Sequence, residues 1–269
     1  MVEIFDNIHK IYQYQAPCGE LGDYIEFFSE SSPQATREYI ANEHFNVRLF
    51  PSWTPTMWFN LGSPYQLLIS DKRYSVQSGD DVLLLRNSIV ERYNLPTDHI
   101  FTVKFSPGGF ESIFGIKQSS LGDSLINLSM LLPTQLIYKI KKMDNFEERV
   151  NLLQSFFLNK FRKKTNQEYY FRTVQKAIET YQISNMEFNS TEVAREVFAT
   201  NKTIYRYFNQ VIGTTPKNYF SILRVRTALQ NYVAAQSDFS PYDFGYYDMS
   251  HFYKDVVKFT GRKLIDNLA

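Results

Sequence analysis

The chain has 269 residues, 43% of them hydrophobic and 21% charged, with 23 Phe, 19 Tyr, one cysteine and a net charge of +1. That composition excludes an extended disordered chain, and the lone Cys18 excludes an intramolecular disulfide framework. The length suggests two domains, and no apolar run approaches the roughly 20 residues that span a bilayer. The opening "MVEIFDNIHK" mixes acids and bases where a secretion signal needs an apolar stretch, so a cytoplasmic protein is expected.

From Tyr12 to about Lys117 the chain is punctuated by turn-like segments, "APCGELGDY", "FPSWTP", "LGSP", "QSGDD", "NLPTD" and "SPGGF". Between them lie apolar, β-prone runs, "TMWFNL", "YQLLIS", "DVLLL" and "IFTVKF". Short strands separated by turns predict an antiparallel β barrel or sandwich. From Leu125 onward the spacing is helical. Phe146, Val150, Leu153 and Phe157 share one face of a helix within "NFEERVNLLQSFFLNKF", and the polar "RKKTNQE" that follows, Arg162 to Glu168, reads as a boundary. Two domains result, 1–162 and 168–269, in an α+β chain.

The second domain is expected to hold five to seven helices. Phe171, Val174, Ile178 and Tyr181 form a buried stripe; Asn189 with Glu192 spells a capping box for a helix through Val197. Thr200 caps the next helix, Gly213 stops it, and Thr215-Pro216 starts a long helix to about Ala235. Charge follows this division. Residues 1–159 carry 13 Lys+Arg against 18 Asp+Glu, whereas residues 160–269 carry 16 against 10, as when a nucleic-acid-binding portion is joined to something else.

The helix after Thr200 is two-sided. Ile204, Phe208 and Val211 fall on one face; Lys202, Tyr205, Arg206 and Asn209 fall on another, with Thr203 beside them. Arg and Lys donate to guanine edges or phosphates, amides read adenine, and Tyr stacks or reaches a phosphate. A cationic face is more often simply solvated. Its neighbourhood argues for more, because a short capped helix, the turn "FAT" and this second helix follow the layout of a helix-turn-helix.

The stretch "STEVAREVFATNKTIYRYFNQVIGTTPKNYFSILRVRTAL" resembles the first helix-turn-helix and linker helix of AraC/XylS-type transcription regulators, carried by Ala194, Arg206, Phe208, Gly213, Pro216, Tyr219, Arg224 and Ala228. "GYYDMSHFYKDVVKFTG" resembles the family's second motif through Gly245, Tyr246, Ser250, Phe252, Lys254, Phe259 and Gly261. The resemblance implies a sequence-specific DNA-binding transcriptional regulator, with Met249, Ser250, Tyr253 and Lys254 as a second groove-facing set. Its partners would be double-stranded promoter or operator DNA, a small-molecule effector, RNA polymerase and a second copy of the chain. It implies no cofactor and no catalytic residue. The chain departs from the family pattern in "SDFSPYDFG", where Pro241 restricts a helix starting at Ser240 to a turn or two, and after Gly261, where "RKLIDNLA" lacks the usual proline. The second motif is therefore expected to lean more on phosphate contacts. Phe198 stands where glycine is common, and is expected to keep ordinary dihedrals and pack into the core.

The first half resembles the cupin-like sensor domain of one branch of that family, on Leu21, Tyr24, Ile25, "LFPSWTPTMWFNLGSPYQ", "VKFSPGGFESIFGI" and "FEERVNLLQSFFL". A cupin enzyme that binds metal or carbohydrate, with a helical accessory domain, is the rival from another class. His9, His44 and His99 are scattered without H-x-H or HExxH spacing, so no metal site is expected. Asp248, Ser250 and His251, neighbours on one helix, cannot converge as a triad. The glycines of "SPGGF" read as a tight turn at a sheet edge. Trp53, Trp58, Phe59, Tyr65 and Phe105 either line a barrel mouth or form its core, and Leu152 and Phe156 lie off the main stripe of their helix, where they face a partner copy or the neighbouring domain.

Overall fold

The computed structural model describes residues 11–40, 45–122, 124–161, 168–235 and 238–264. Among the described residues ten strands run in chain order: β1 Tyr12–Gln15, β2 Ile25–Ser31, β3 Phe45–Leu49, β4 Pro55–Asn60, β5 Tyr65–Ile69, β6 Lys72–Val76, β7 Val82–Leu85, β8 Val90–Asn94, β9 Ile100–Phe105 and β10 Ile126–Asn127. They form two antiparallel sheets, one ordered β1-β2-β9-β4-β7-β10 and the other β3-β8-β5-β6. The four apolar runs of the sequence are β4, β5, β7 and β9. β4 and β9 are buried along their whole length, because the six-stranded sheet is covered on both faces. Trp58, Val82, Leu84 and Ile100 point to the other sheet, while Met57, Phe59, Phe101, Val103 and Phe105 point to the helices. Burial on both faces is why these strands read as continuous apolar runs rather than alternating ones.

Helices α1 Pro33–Ile40 and α2 Gly109–Phe114 interrupt the strand-rich half, and α3 Thr134–Lys142 and α4 Phe146–Phe161 cover the large sheet. Helical structure starts slightly later than Leu125, because β10 first adds an edge to β7. Along α4, Val150, Leu153 and Phe157 are fully buried. Leu152 and Phe156 are half-buried against the same cluster, so packing inside the chain accounts for them. The "SPGGF" turn leaves β9 and enters α2. Gly108 has φ 76°, and a Cβ on Gly109 would lie 1.9 Å from the Tyr24 carbonyl oxygen. Only glycine allows that approach.

The helical half contains α5 Glu168–Ile183, α6 Ser190–Glu196, α7 Asn201–Val211, α8 Pro216–Ala234 and α9 Met249–Thr260. Residues 162–167, where the sequence places the boundary, lie outside the described residues. One buried cluster nevertheless runs from Phe28, Phe59 and Phe105 through Phe157 to Phe171, Ile204, Phe208 and Phe220. A second joins Phe50 of the sheet half to Val225, Leu229, Phe252 and Phe259. Tyr24 stacks on Phe171 at 5.0 Å, and Gln118 donates to the carbonyls of Trp53 and Ile212. The two halves therefore share their core.

The expectation for Phe198 is corrected, and the barrel aromatics resolve to the core alternative except for Trp53. Phe198 does not pack into the core with ordinary dihedrals: it has φ 55° and is 94% exposed. The sharp return from α6 to α7 requires a left-handed residue, and Ala199 N reaches back to Ala194 O at 2.9 Å, so backbone closure overrides the side chain's preference. Trp53 lies between β3 and β4 with φ 51°, near Gly213 at the seam between the halves. Trp58, Phe59, Tyr65 and Phe105 are buried core residues.

Candidate nucleic-acid interface

Local hydrogen bonds build α6 and α7. Asn189 Oδ1 accepts from Thr191 N and Glu192 N, and Glu192 Oε2 accepts from Asn189 N at 2.7 Å, closing the capping box. Thr200 Oγ1 accepts from Thr203 N at 3.1 Å and begins α7. Gly213, with φ 93°, ends it. Ile204, Phe208 and Val211 are buried against the core together with Val193 and Ala194 of α6. Asn201 Nδ2 donates to Thr191 Oγ1 at 2.9 Å, a second tie between the helices.

Packing one side of α7 leaves the other in solvent. Lys202 and Arg206 are exposed and Tyr205 is 55% exposed, all on one strip as the spacing predicts. Thr203 and Asn209 sit at its margin, half-buried. Their polar atoms are partly occupied: the Thr203 hydroxyl lies 2.9 Å from that of Thr200, and Asn209 Nδ2 donates to Tyr205 O at 2.7 Å. The guanidinium of Arg206 lies 5.1 Å from the ring of Tyr207. Tyr207, not singled out in the sequence, is buried and edges onto Tyr170 at 4.7 Å. It gives the exposed Arg206 side chain a flat surface to lie along. Lys217 is a further exposed cation that motif spacing did not mark. With Tyr205, Asn201 and Ser190 it borders an open hollow of about 380 Å³ beside α7, and its placement in the first turn after the Thr215-Pro216 cap was the available signal.

α8 begins as predicted, with Thr215 Oγ1 accepting from Asn218 N at 3.2 Å. It ends at Ala234. Beyond it, Pro241–Phe244 forms a single 3₁₀ turn starting after Ser240, the short element Pro241 implies, and Gly245 closes it with φ 66°. On α9, Met249, Ser250, Tyr253 and Lys254 are all exposed along one strip. Asp248 Oδ1 accepts from His251 N at 2.7 Å, so this carboxylate caps the helix.

Arg224 fastens α8 to α9. Its guanidinium reaches Asp255 Oδ2 at 3.0 Å and Gly245 O at 3.3 Å, and lies 4.4 Å from the centre of the Tyr246 ring. Burial disfavours its charge, but Tyr246, Tyr181 and Asp255 outweigh that and raise its pKa. Burial also pushes the Tyr181 phenol up to about 12, so it stays neutral.

Of the histidines weighed for a metal, His9 and His44 lie outside the described residues. His99 Nε2 is 2.8 Å from Glu30 Oε1, and Glu30 is gripped through both oxygens by Arg149 at 2.8 Å. Among the described residues no group of three His, Cys, Asp or Glu side chains is placed to hold a metal ion, and no helix is long and apolar enough to cross a membrane.

No protein-family model and no curated protein sequence matches this chain. Among solved structures, it is similar to ToxT from Vibrio cholerae, with 12% identity over 84% of this chain and 97% of that one and a TM-score of 0.49. A ToxT from strain SCE256 with bound unsaturated fatty acid is 13% identical over 84% and 94%, with a TM-score of 0.46. The AraC-like transcriptional activator CuxR is 16% identical over 84% and 88%, with a TM-score of 0.24. At these identities, residue roles rest on this chain's own geometry.

Proposed function

We propose that this chain is a sequence-specific DNA-binding transcriptional regulator of AraC/XylS type, with a sensor and dimerisation domain over 1–162 and a DNA-binding domain over 168–269. The observation that carries the reading is the pair of exposed polar strips on α7 and α9, each on a helix anchored by its opposite face and both packed on α8. In this reading α6–α7 and the Pro241 turn with α9 are two helix-turn-helices that enter successive major-groove faces roughly 34 Å apart. Lys202, Tyr205 and Arg206 contact base edges. Thr203 and Asn209, already bonded within the protein, orient that strip and touch phosphate. Lys217 adds a phosphate contact. The α9 strip of Met249, Ser250, Tyr253 and Lys254 has one cation, so it contributes apolar and phosphate contacts more than charged base readout. The sheet domain, sharing a core with α7 and α8, controls them through a small-molecule effector or a second copy of the chain, and RNA polymerase is the further partner of a promoter-bound regulator.

Selection of bound sequences from random DNA, followed by mobility shift, tests the reading. Arg206→Ala should weaken the selected site by about 1–3 kcal/mol and relax preference at one or two base pairs. Its melting temperature should be unchanged, because Arg206 is exposed. Affinity should fall steeply with salt, as expected when phosphate contacts release counterions. Unaltered binding by Arg206→Ala would remove this strip from the interface.

A further inference from the structure

Lys202, Tyr205 and Arg206 stand near the N-terminus of α7, and Met249, Ser250, Tyr253 and Lys254 near that of α9. The sheet half holds the same two helices at their other ends. Gln118 Nε2 donates to Ile212 O, at the C-terminus of α7, at 2.7 Å, and Arg48 Nη1 donates to Thr260 O, on the last residue of α9, at 3.0 Å. Carbonyls at a helix end lack a partner inside the helix, and a cation there also meets the negative end of the helix dipole. Phe50 lies 6.4 Å from Phe259 of α9, and a Cβ on Gly213 would lie 3.6 Å from the Trp53 ring. On α8, between the two, Arg226 Nη2 is 3.6 Å from Glu26 Oε1 of the sheet half.

Contacts to both helix ends converge on the segment Arg48–Trp53, which runs from β3 toward β4. Arg48 and Phe50 reach α9, while Trp53 O accepts from the same Gln118 amide that holds α7. Strand alternation explains Arg48. Val47 and Leu49 are buried between the sheets, so Arg48 takes the outer face, opposite Glu91 of β8. There Glu91 Oε1 is 3.4 Å from Arg48 Nε and 3.8 Å from Nη2 of Arg262, just beyond α9. The segment is held in turn by Arg86, whose carbonyl accepts from Ser52 N at 2.8 Å and Trp53 N at 2.9 Å and whose Nη2 donates to Phe50 O at 2.8 Å. Trp53 keeps φ 51°, a value a bulky residue adopts only when its surroundings impose it.

Arg224 bonds to Asp255, midway along α9, and fixes a position against α8. A second attachment at Thr260 fixes a direction. From Asp255, Thr260 lies about 7.5 Å along the helix one way and Met249 about 9 Å the other way, so a release of about 1 Å at Thr260 moves the strip by a comparable distance. Hydrogen bonds to base edges tolerate only about 0.5 Å.

We propose that Arg48 is a positioning residue for DNA recognition: through Arg48–Trp53 the sheet half sets the separation and angle of α7 and α9, and so selects one spacing between two half-sites. Arg48 itself touches no base. The spacing claim rests on the regulator reading above; the hold on the two helices does not. One added base pair displaces a half-site by about 3.4 Å and turns it by about 34–36°, more than a held pair of helices follows.

Two measurements on the full chain test this. Without DNA, nitroxide labels on Tyr205→Cys and Tyr253→Cys, in a Cys18→Ser background, report the distance between α7 and α9 by double electron–electron resonance. The distribution should be narrow with Arg48 or Arg48→Lys and broader by at least about 1 Å with Arg48→Met. Equal widths overturn the hold. With DNA, sites selected by the parent are lengthened or shortened by one base pair between their half-sites and compared by mobility shift of the unlabelled proteins. The parent should lose at least about tenfold in affinity at the altered spacing, Arg48→Met no more than about threefold, and Arg48→Lys should recover the parent's preference. Glu91→Gln, which removes the carboxylate beside Arg48, should show an intermediate loss of preference and serves if Arg48→Met fails to fold. Arg48→Met weakening every spacing by one factor would show a merely structural role and overturn the proposal, as would parent sites with a single half-site or with several spacings. If no variant binds DNA while Arg48→Met still broadens the distances, the regulator reading falls, the spacing claim falls with it, and the hold on α7 and α9 stands.

Discussion

Gln118→Met isolates the polar bond that ties the back of α7 to the sheet half. Gln118 is fully buried, and its Nε2 donates to Trp53 O at 2.5 Å and to Ile212 O at 2.7 Å. Ile212 caps the C-terminus of α7, where carbonyls lack a partner inside the helix, so the amide satisfies a group the helix cannot. Methionine keeps nearly the same volume, leaving the hydrogen bonds as the difference. Two bonds at about 0.5–1.5 kcal/mol each, together with the penalty for stranding two buried carbonyls, exceed the relief from removing Oε1, which has no partner. The expected net loss is about 2–3 kcal/mol, or roughly 4–10 °C in melting temperature for a chain of this size. Circular dichroism melts measure it, and amide exchange gives the location: Gly213 N, bonded to Phe208 O, should exchange faster. A melting temperature within about 1 °C of the parent, with unchanged exchange at Gly213, would show that the seam does not depend on this side chain.

Gly109→Ala should destabilise by more than about 3 kcal/mol in denaturant titration, because its Cβ meets the Tyr24 carbonyl, whereas Gly79→Ala, which meets nothing within 4 Å, should stay within about 0.5 kcal/mol. Phe198→Gly removes a left-handed phenylalanine that makes little contact, so its stability should equal or exceed the parent's by up to about 1 kcal/mol; a loss larger than that refutes the strain account. For Glu26, burial disfavours the charge, but Lys104 and Arg226 outweigh it and hold the carboxyl at about 2 against an ordinary 4.5. A depressed carboxyl stabilises the fold above its unfolded pKa, and the contribution fades as pH falls from 4.5 toward 2. Stability measured against pH should therefore show parent and Glu26→Gln separated at pH 7 and converging in that window, and a gap constant with pH would contradict it.

The local devices around α6, α7 and α8 were legible in the residues. Asn189 with Glu192, Thr200, and Thr215 with Pro216 each act on backbone groups within three positions, so their geometry follows from the chain's own connectivity. The short element at Pro241 was legible for the same reason, as was the exposed strip of Lys202, Tyr205 and Arg206, since helical spacing alone aligns it. Phe198 was misread because turn closure between two packed helices, not its own preference, sets its φ. Tyr207 was overlooked because its burial depends on Tyr170, distant in sequence. The cations Arg86, Arg92 and Lys104 lie in or beside separate strands, and nothing near them in the chain indicates that they meet. Strand alternation decides which face a residue takes, but only the stacking of the two sheets decides that three such faces enclose one space. The same holds for Gln118, Glu26 and Arg226, whose partners lie tens to hundreds of residues away. The sequence by itself determined the helices of the C-terminal half, their caps and the solvent-facing strips, where interactions close within a turn or two, but not the helices Pro33–Ile40 and Gly109–Phe114 among the strands. Tertiary structure alone decided the shared core, the seam and the buried charges, because those depend on which distant segments come into contact.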